Sequence, residues 1–148
     1  MINLYSTNSP EETERVGFEM AGRAKQGEIL LLFGDLGGGK TCFVRGLAKG
    51  FGISDAVTSP TFTIVNDYGS LLHFDLYRIG GTDDLHAIGF FDYLDRGCAL
   101  AVEWAERIES DIPHLFRGRD VCRVRFLRGY GSVPENARII EVEVSGIC

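Results

Sequence analysis

Residues 34–41 read Gly34-Asp35-Leu36-Gly37-Gly38-Gly39-Lys40-Thr41, a full match to the pattern G-x-x-x-x-G-K-[ST]. What lies on either side makes this the most constraining feature of the chain. Residues 28–33 are a short apolar run rich in Ile and Leu, the signature of a strand buried on both faces. Residues 40–51 set Phe43, Val44, Leu47, Ala48 and Phe51 along one helical stripe. A buried strand, a glycine loop and an amphipathic helix thus follow one another without a break. The loop has the chemistry of a phosphate cradle. Backbone N–H groups can close around a polyphosphate only where no Cβ intrudes, hence glycine. The helix adds its N-terminal amides and the positive end of its dipole. Lys40 is placed to bridge β- and γ-phosphates, and the Thr41 hydroxyl to ligate Mg²⁺. The chain has 19 glycines among 148 residues, well above the usual share of about 7%, with no Gly-X-Y period. The loop accounts for Gly34, Gly37, Gly38 and Gly39.

The rest of the chain frames that unit. A length of 148 residues with 45% apolar and 24% charged residues predicts one domain over 1–148 with an ordinary core. The net charge of −6 excludes a bulk nucleic-acid binder. The N-terminal residues lack a basic region followed by a long apolar stretch, and the apolar runs are too short to span a bilayer, so a cytoplasmic protein without a membrane partner is expected. Cys42, Cys98, Cys122 and Cys148 are scattered with no CxxC, which suits reduced, structural thiols. Ser9, Pro10 and Glu12 form a capping box ahead of a helix over 10–25, with Val16, Met20 and Ala24 on one face. Strands are expected over 61–66 and 71–76, joined by a turn at Gly69-Ser70. Thr82 is expected to cap one helix carrying Leu85, Ile88, Phe91 and Leu94, stopped by Gly97. Residues 98–102 form a second buried strand. Cys122, Val124 and Phe126, then Ile140, Val142 and Val144, alternate with charged residues, which predicts an antiparallel hairpin looping through 129–137. The expected architecture is α/β: a three-layer, P-loop NTPase-like fold with a parallel core and added antiparallel hairpins in a mixed sheet.

A phosphate loop needs an acidic group at a neighbouring strand end. Two apolar runs end in one, at Asp75 and at Glu103. Either can ligate Mg²⁺ while the other orients the attacking water, and the sequence leaves that choice open. The chain has three lysines, none in an Asn-Lys-x-Asp motif, so ATP is expected rather than GTP. Thr58, Ser59, Pro60, Thr61 and Phe62 put three hydroxyls in the connection between helix and strand, where nucleotide switches close over the γ-phosphate. His73 lies two residues before Asp75 on the same strand face, within reach of a metal's outer surroundings. Arg117, Arg119, Arg123, Arg125 and Arg128 suit either a docking face for RNA or protein, or cross-strand pairing of Arg123 and Arg125 with Glu141 and Glu143.

Taken together, the glycine loop, Thr58-Ser59-Pro60-Thr61-Phe62, His73-Phe74-Asp75-Leu76-Tyr77-Arg78 and Val102-Glu103-Trp104 resemble the bacterial TsaE (YjeE) family in order and spacing, over nearly the whole chain. The family usually has Ala where Gly38 stands and Pro where Ala105 stands. The resemblance implies a small ATPase required, with TsaB and TsaD, for threonylcarbamoyladenosine next to the anticodon of tRNAs that read codons beginning with A. It implies contact with tRNA only through that complex, and ATP and Mg²⁺ as cofactors. Carried onto this chain, Lys40, Asp75 and Glu103 become the catalytic residues. Thr41, Glu103 and Asp75 become the metal set. Gly34, Asp35, Leu36, Gly37, Gly38, Gly39, Lys40, Thr41, Cys42, Thr61 and Trp104 become the nucleotide contacts. A small-molecule kinase and an adaptor that binds ATP without hydrolysing it are the alternatives.

Overall fold

The computed structural model describes residues 2–24, 27–35, 39–60, 63–128 and 137–145. In chain order the elements are β1 (Ile2–Thr7), α1 (Pro10–Ala24), β2 (Ile29–Phe33), α2 (Lys40–Gly50), β3 (Val65–Asp67), β4 (Leu71–Asp75), α3 (Thr82–Ala87), α4 (Phe90–Leu94), β5 (Ala99–Glu103), a 3₁₀ stretch (Ala105–Asp111), α5 (Ile112–Leu115), β6 (Val121–Arg128) and β7 (Arg138–Ser145). The strands make one seven-stranded sheet in the order β1-β7-β6-β2-β5-β4-β3. The central four, β6, β2, β5 and β4, are parallel, while β7 and β1 at one end and β3 at the other are antiparallel. The sheet is therefore mixed, with a parallel core, as expected.

Burial explains why the core strands read as continuous apolar runs: β2, β4 and β5 are covered along their whole lengths. On one face, Leu30, Leu32, Ala101, Cys122 and Val124 pack under Val16 and Met20 of α1 and Phe43, Val44 and Leu47 of α2. On the other, Ile29, Leu31, Phe74, Leu100 and Val102 pack under Leu85, Phe90, Ile108 and Leu115. The start of α1 follows from its capping box. The Ser9 hydroxyl accepts from the Glu12 N–H at 3.1 Å, and the Glu12 carboxylate reaches back to the Asn8 N–H at 2.6 Å.

Three expectations need correction. The strand over 61–66 is shorter and shifted: Ile64 has φ 69° and donates its N–H to the Pro60 carbonyl, so pairing begins only at Val65. The single helix after Thr82 is two, because Gly89 at φ 75° breaks it. Thr82 is not its cap; it is the first helical residue, and its hydroxyl donates to Asp111 at 2.8 Å. Two features were not anticipated, the edge strand β1 and the helical turns over 105–115. Of the hairpin loop, 129–136 lies outside the described residues. On its strands, Arg125 takes both Glu141 (3.4 Å) and Glu143 (3.1 Å), while Arg123 stands opposite Glu143 in register. Cys42, Cys98 and Cys122 are free, and Cys148 lies outside the described residues. Among the described residues no helix is long and apolar enough to cross a membrane.

Candidate nucleotide site

β2 lies between β5 and β6, where the order of the parallel strands reverses. In open α/β sheets such a switch point opens a crevice beyond the carboxyl ends of the strands, where ligands bind. Gly34 follows β2 into that crevice and α2 leaves it. Glycine is required at the loop's entrance, because Gly34 has φ 147° and a Cβ there would lie 2.9 Å from the Phe126 carbonyl oxygen. At the helix start Gly39 has φ 100°. Leu36, Gly37, Gly38 and Thr61 lie outside the described residues.

Two neighbouring strands bring their last residues to the same edge. Asp75 of β4 pairs in register with Glu103 of β5, and both are 3% exposed. Glu103 has a partner for each oxygen. Its Oε1 accepts from the Thr41 hydroxyl at 3.2 Å, and its Oε2 lies 2.5 Å from His73 Nε2. His73 is fully buried, and its Nδ1 has no hydrogen-bond partner among the described residues. An ionised Glu103 can only accept, so Nε2 carries the proton of that bond. The two oxygens of Asp75 accept from the Ser59 hydroxyl (3.2 Å) and the Tyr77 N–H (2.9 Å).

Lys40 is 4% exposed. Its ammonium donates to the Gly34 carbonyl and sits 3.8 Å above the centroid of the Trp104 ring. Among the described residues it makes no ion pair. Burial pulls its pKa below the usual lysine range, opposed by the fields of Glu106, Glu103, Asp75 and Asp35. Trp104 itself takes a left-handed conformation (φ 57°) and packs against Tyr77 with ring centroids 5.0 Å apart and ring planes tilted by 56°. Glu106, in the 3₁₀ stretch, accepts the Gly34 N–H at 2.8 Å and so ties the segment after Glu103 to the loop.

The structure thus brings together Gly34, Lys40, Thr41, Asp75, Glu103 and Trp104. It does not bring the Cys42 side chain with them: the Cys42 sulfur meets the Arg45 guanidinium at 3.9 Å, along α2. Asp35 is exposed and acts on Lys40 through its charge. Sequence reasoning missed Glu106, whose role depends on the 3₁₀ turn, and saw His73 only as a neighbour of Asp75, not as the partner of Glu103. The donor set fits Mg²⁺ and a polyphosphate. A threonine hydroxyl and a carboxylate are hard oxygen ligands. Among the described residues a carbonyl and an aromatic face hold this buried ammonium, an arrangement that suits an incoming anion.

The family model for threonylcarbamoyl adenosine biosynthesis protein TsaE matches residues 7–129. A tRNA threonylcarbamoyladenosine biosynthesis protein TsaE from Bacillus subtilis is 42% identical over 113 residues, 74% of this chain and 70% of that protein. One from Rickettsia typhi is 35% identical over 136 residues, 82% of this chain and 94% of that protein. The crystal structure of Bacillus subtilis YdiB superposes with a TM-score of 0.74 at 32% identity, covering 99% of this chain and 87% of that one. The family match runs through the glycine loop, both strand-end acids and Trp104, and the chain belongs to the TsaE family of tRNA threonylcarbamoyladenosine biosynthesis proteins.

Proposed function

We propose that the protein binds ATP with Mg²⁺ and hydrolyses it, and that this cycle switches an assembly with TsaB and TsaD homologues. That assembly installs threonylcarbamoyladenosine beside the anticodon of tRNAs that read codons beginning with A. The observation that carries the reading is the contact between Thr41 and Glu103 at 3.2 Å, which joins the first turn of the loop's helix to the acid at the end of β5. Magnesium bound there would offset charge on the phosphates.

The chain's own residues divide the remaining work. Lys40, freed from the Gly34 carbonyl, binds the terminal phosphates. Thr41 and Glu103 take the metal. Asp75 holds Ser59 of the 58–60 segment at 3.2 Å and is the acid left to orient water. Because that carboxylate touches both the segment and the reaction edge, a change at the nucleotide's terminal phosphate is transmitted to an exposed stretch of chain. Partners can read that stretch, and the tRNA is reached through them.

The test is a reconstituted modification assay with Lys40→Ala. The variant is expected to unfold cooperatively, like the parent, and to give no ATP-dependent modification of tRNA. Normal modification by that variant would contradict the proposal.

A further inference from the structure

We infer that His73 is a positioning residue for the nucleotide site: it holds the Glu103 carboxylate so that one oxygen stays committed to the Thr41 hydroxyl. The inference rests on the reading of Thr41 and Glu103 as the Mg²⁺ side of an ATP site.

The location of His73 argues for a polar purpose. It lies in the middle of β4, fully buried, on the face where Leu71, Ala99 and Ala101 form apolar core. A leucine would fill such a place without an orphaned atom. The imidazole instead leaves Nδ1 without a partner among the described residues, a cost that packing alone does not explain. Its other nitrogen lies 2.5 Å from Glu103 Oε2. The register makes the reach possible. Ala101 stands directly across from His73, and its small side chain leaves room for the ring to extend toward Glu103, two residues further along β5.

The consequence is a strut with three parts. His73 on β4 fixes one oxygen of Glu103 on β5, and the other oxygen faces Thr41 on α2. Without the histidine, Oε2 has no described donor and the carboxylate can turn about its last torsion. A group that orients a metal-binding carboxylate typically changes metal affinity by about 10–100-fold when removed.

Three substitutions separate positioning from packing. Gln puts its amide nitrogen where Nε2 stands; Asn puts it where Nδ1 stands; Leu supplies volume alone. Trp104 fluorescence would be titrated with ATP in EDTA and with ATP in excess Mg²⁺, beside a thermal melt of the nucleotide-free protein. His73→Leu and His73→Asn are expected to bind ATP in EDTA like the parent and to lose about tenfold or more of the gain from Mg²⁺. His73→Gln is expected to keep that gain, and His73→Leu to melt no lower than the parent. If His73→Leu does not fold, the Gln and Asn pair still decides. A parent-like Mg²⁺ gain in His73→Asn, or its loss in His73→Gln, overturns the inference alone. A parent protein with no Mg²⁺-dependent gain overturns the site reading, and this inference with it.

Discussion

Lys40 shows what a binding site costs at the scale of one residue. Burial depresses its pKa, so the folded chain holds that proton less firmly than the unfolded chain. The sign follows: charged Lys40 opposes folding at neutral pH, and the opposition fades only as pH rises through the lowered pKa. Lys40→Met is therefore expected to melt at or above the parent when no nucleotide is present, since a gain of about 1 kcal/mol moves Tm by roughly 2–4 °C. On the proposed function, Mg·ATP is expected to raise the melting point of the parent and not that of this variant. A lower melting point without nucleotide contradicts this account. Cys122, buried in β6, is a second case, its pKa pushed up to about 12 by burial. Between the usual thiol range near 9.0 and 12, the folded chain keeps a proton that the unfolded chain has shed, so stability falls with rising pH there. Cys122 should resist iodoacetamide at pH 8 until denaturant is added. Mass spectrometry of the alkylated peptides checks this, and rapid labelling of the native protein contradicts it.

At the scale of elements, the site depends on how closely α1 and α2 approach. A Cβ on Gly46 would lie 1.7 Å from the Glu14 carbonyl oxygen, so the backbones touch where α2 crosses α1. Gly46→Ala must push apart the helix that carries Lys40 and Thr41. A loss of about 3 kcal/mol is expected, the upper range for overpacking. Gly22→Ala, on the same helix pair with nothing within 4 Å, should instead gain about 0.5–1 kcal/mol. Urea unfolding of the two variants tests the contrast, and equal effects would contradict it. These contacts also mark the limit of what the sequence reveals. The spacing of Val16 and Met20, the capping box, and the runs ending at Asp75 and Glu103 are local signals, and the structure keeps them. A glycine within a helix leaves no periodic trace, so the α1–α2 contact was invisible. β1 was missed because its apolar residues face outward, with Ile2 59% and Leu4 67% exposed, and its partner β7 lies at the far end of the chain. The bond from His73 to Glu103 and the reach of Glu106 to Gly34 depend on strand register and a 3₁₀ turn, neither of which is written in either segment alone.

Across the whole molecule, the sheet order does the assembling. With β2 between β5 and β6, and β4 beyond β5, the glycine loop and both acids share one edge, although up to 69 residues separate Gly34 from Glu103. The same edge carries the 58–60 segment through Ser59 and the Tyr77–Trp104 pair, so the candidate site meets exposed surface there, at Thr58 and Ser59. In the proposed assembly, the net charge of −6 favours contact with protein partners over direct contact with tRNA. Among the described glycines, Gly34 and Gly39 flank the loop and Gly46 lies where α2 meets α1, so loop and helix contact both depend on the missing Cβ. The proposed function stands on hydrolysis coupled to the assembly. Its most direct test is inorganic phosphate release from ATP, measured with the protein alone, then with TsaB and TsaD homologues added, and repeated with Glu103→Ala. Release is expected to be slow alone and faster in the assembly, with severe loss of both release and tRNA modification in the variant. Full tRNA modification by Glu103→Ala without phosphate release would contradict it.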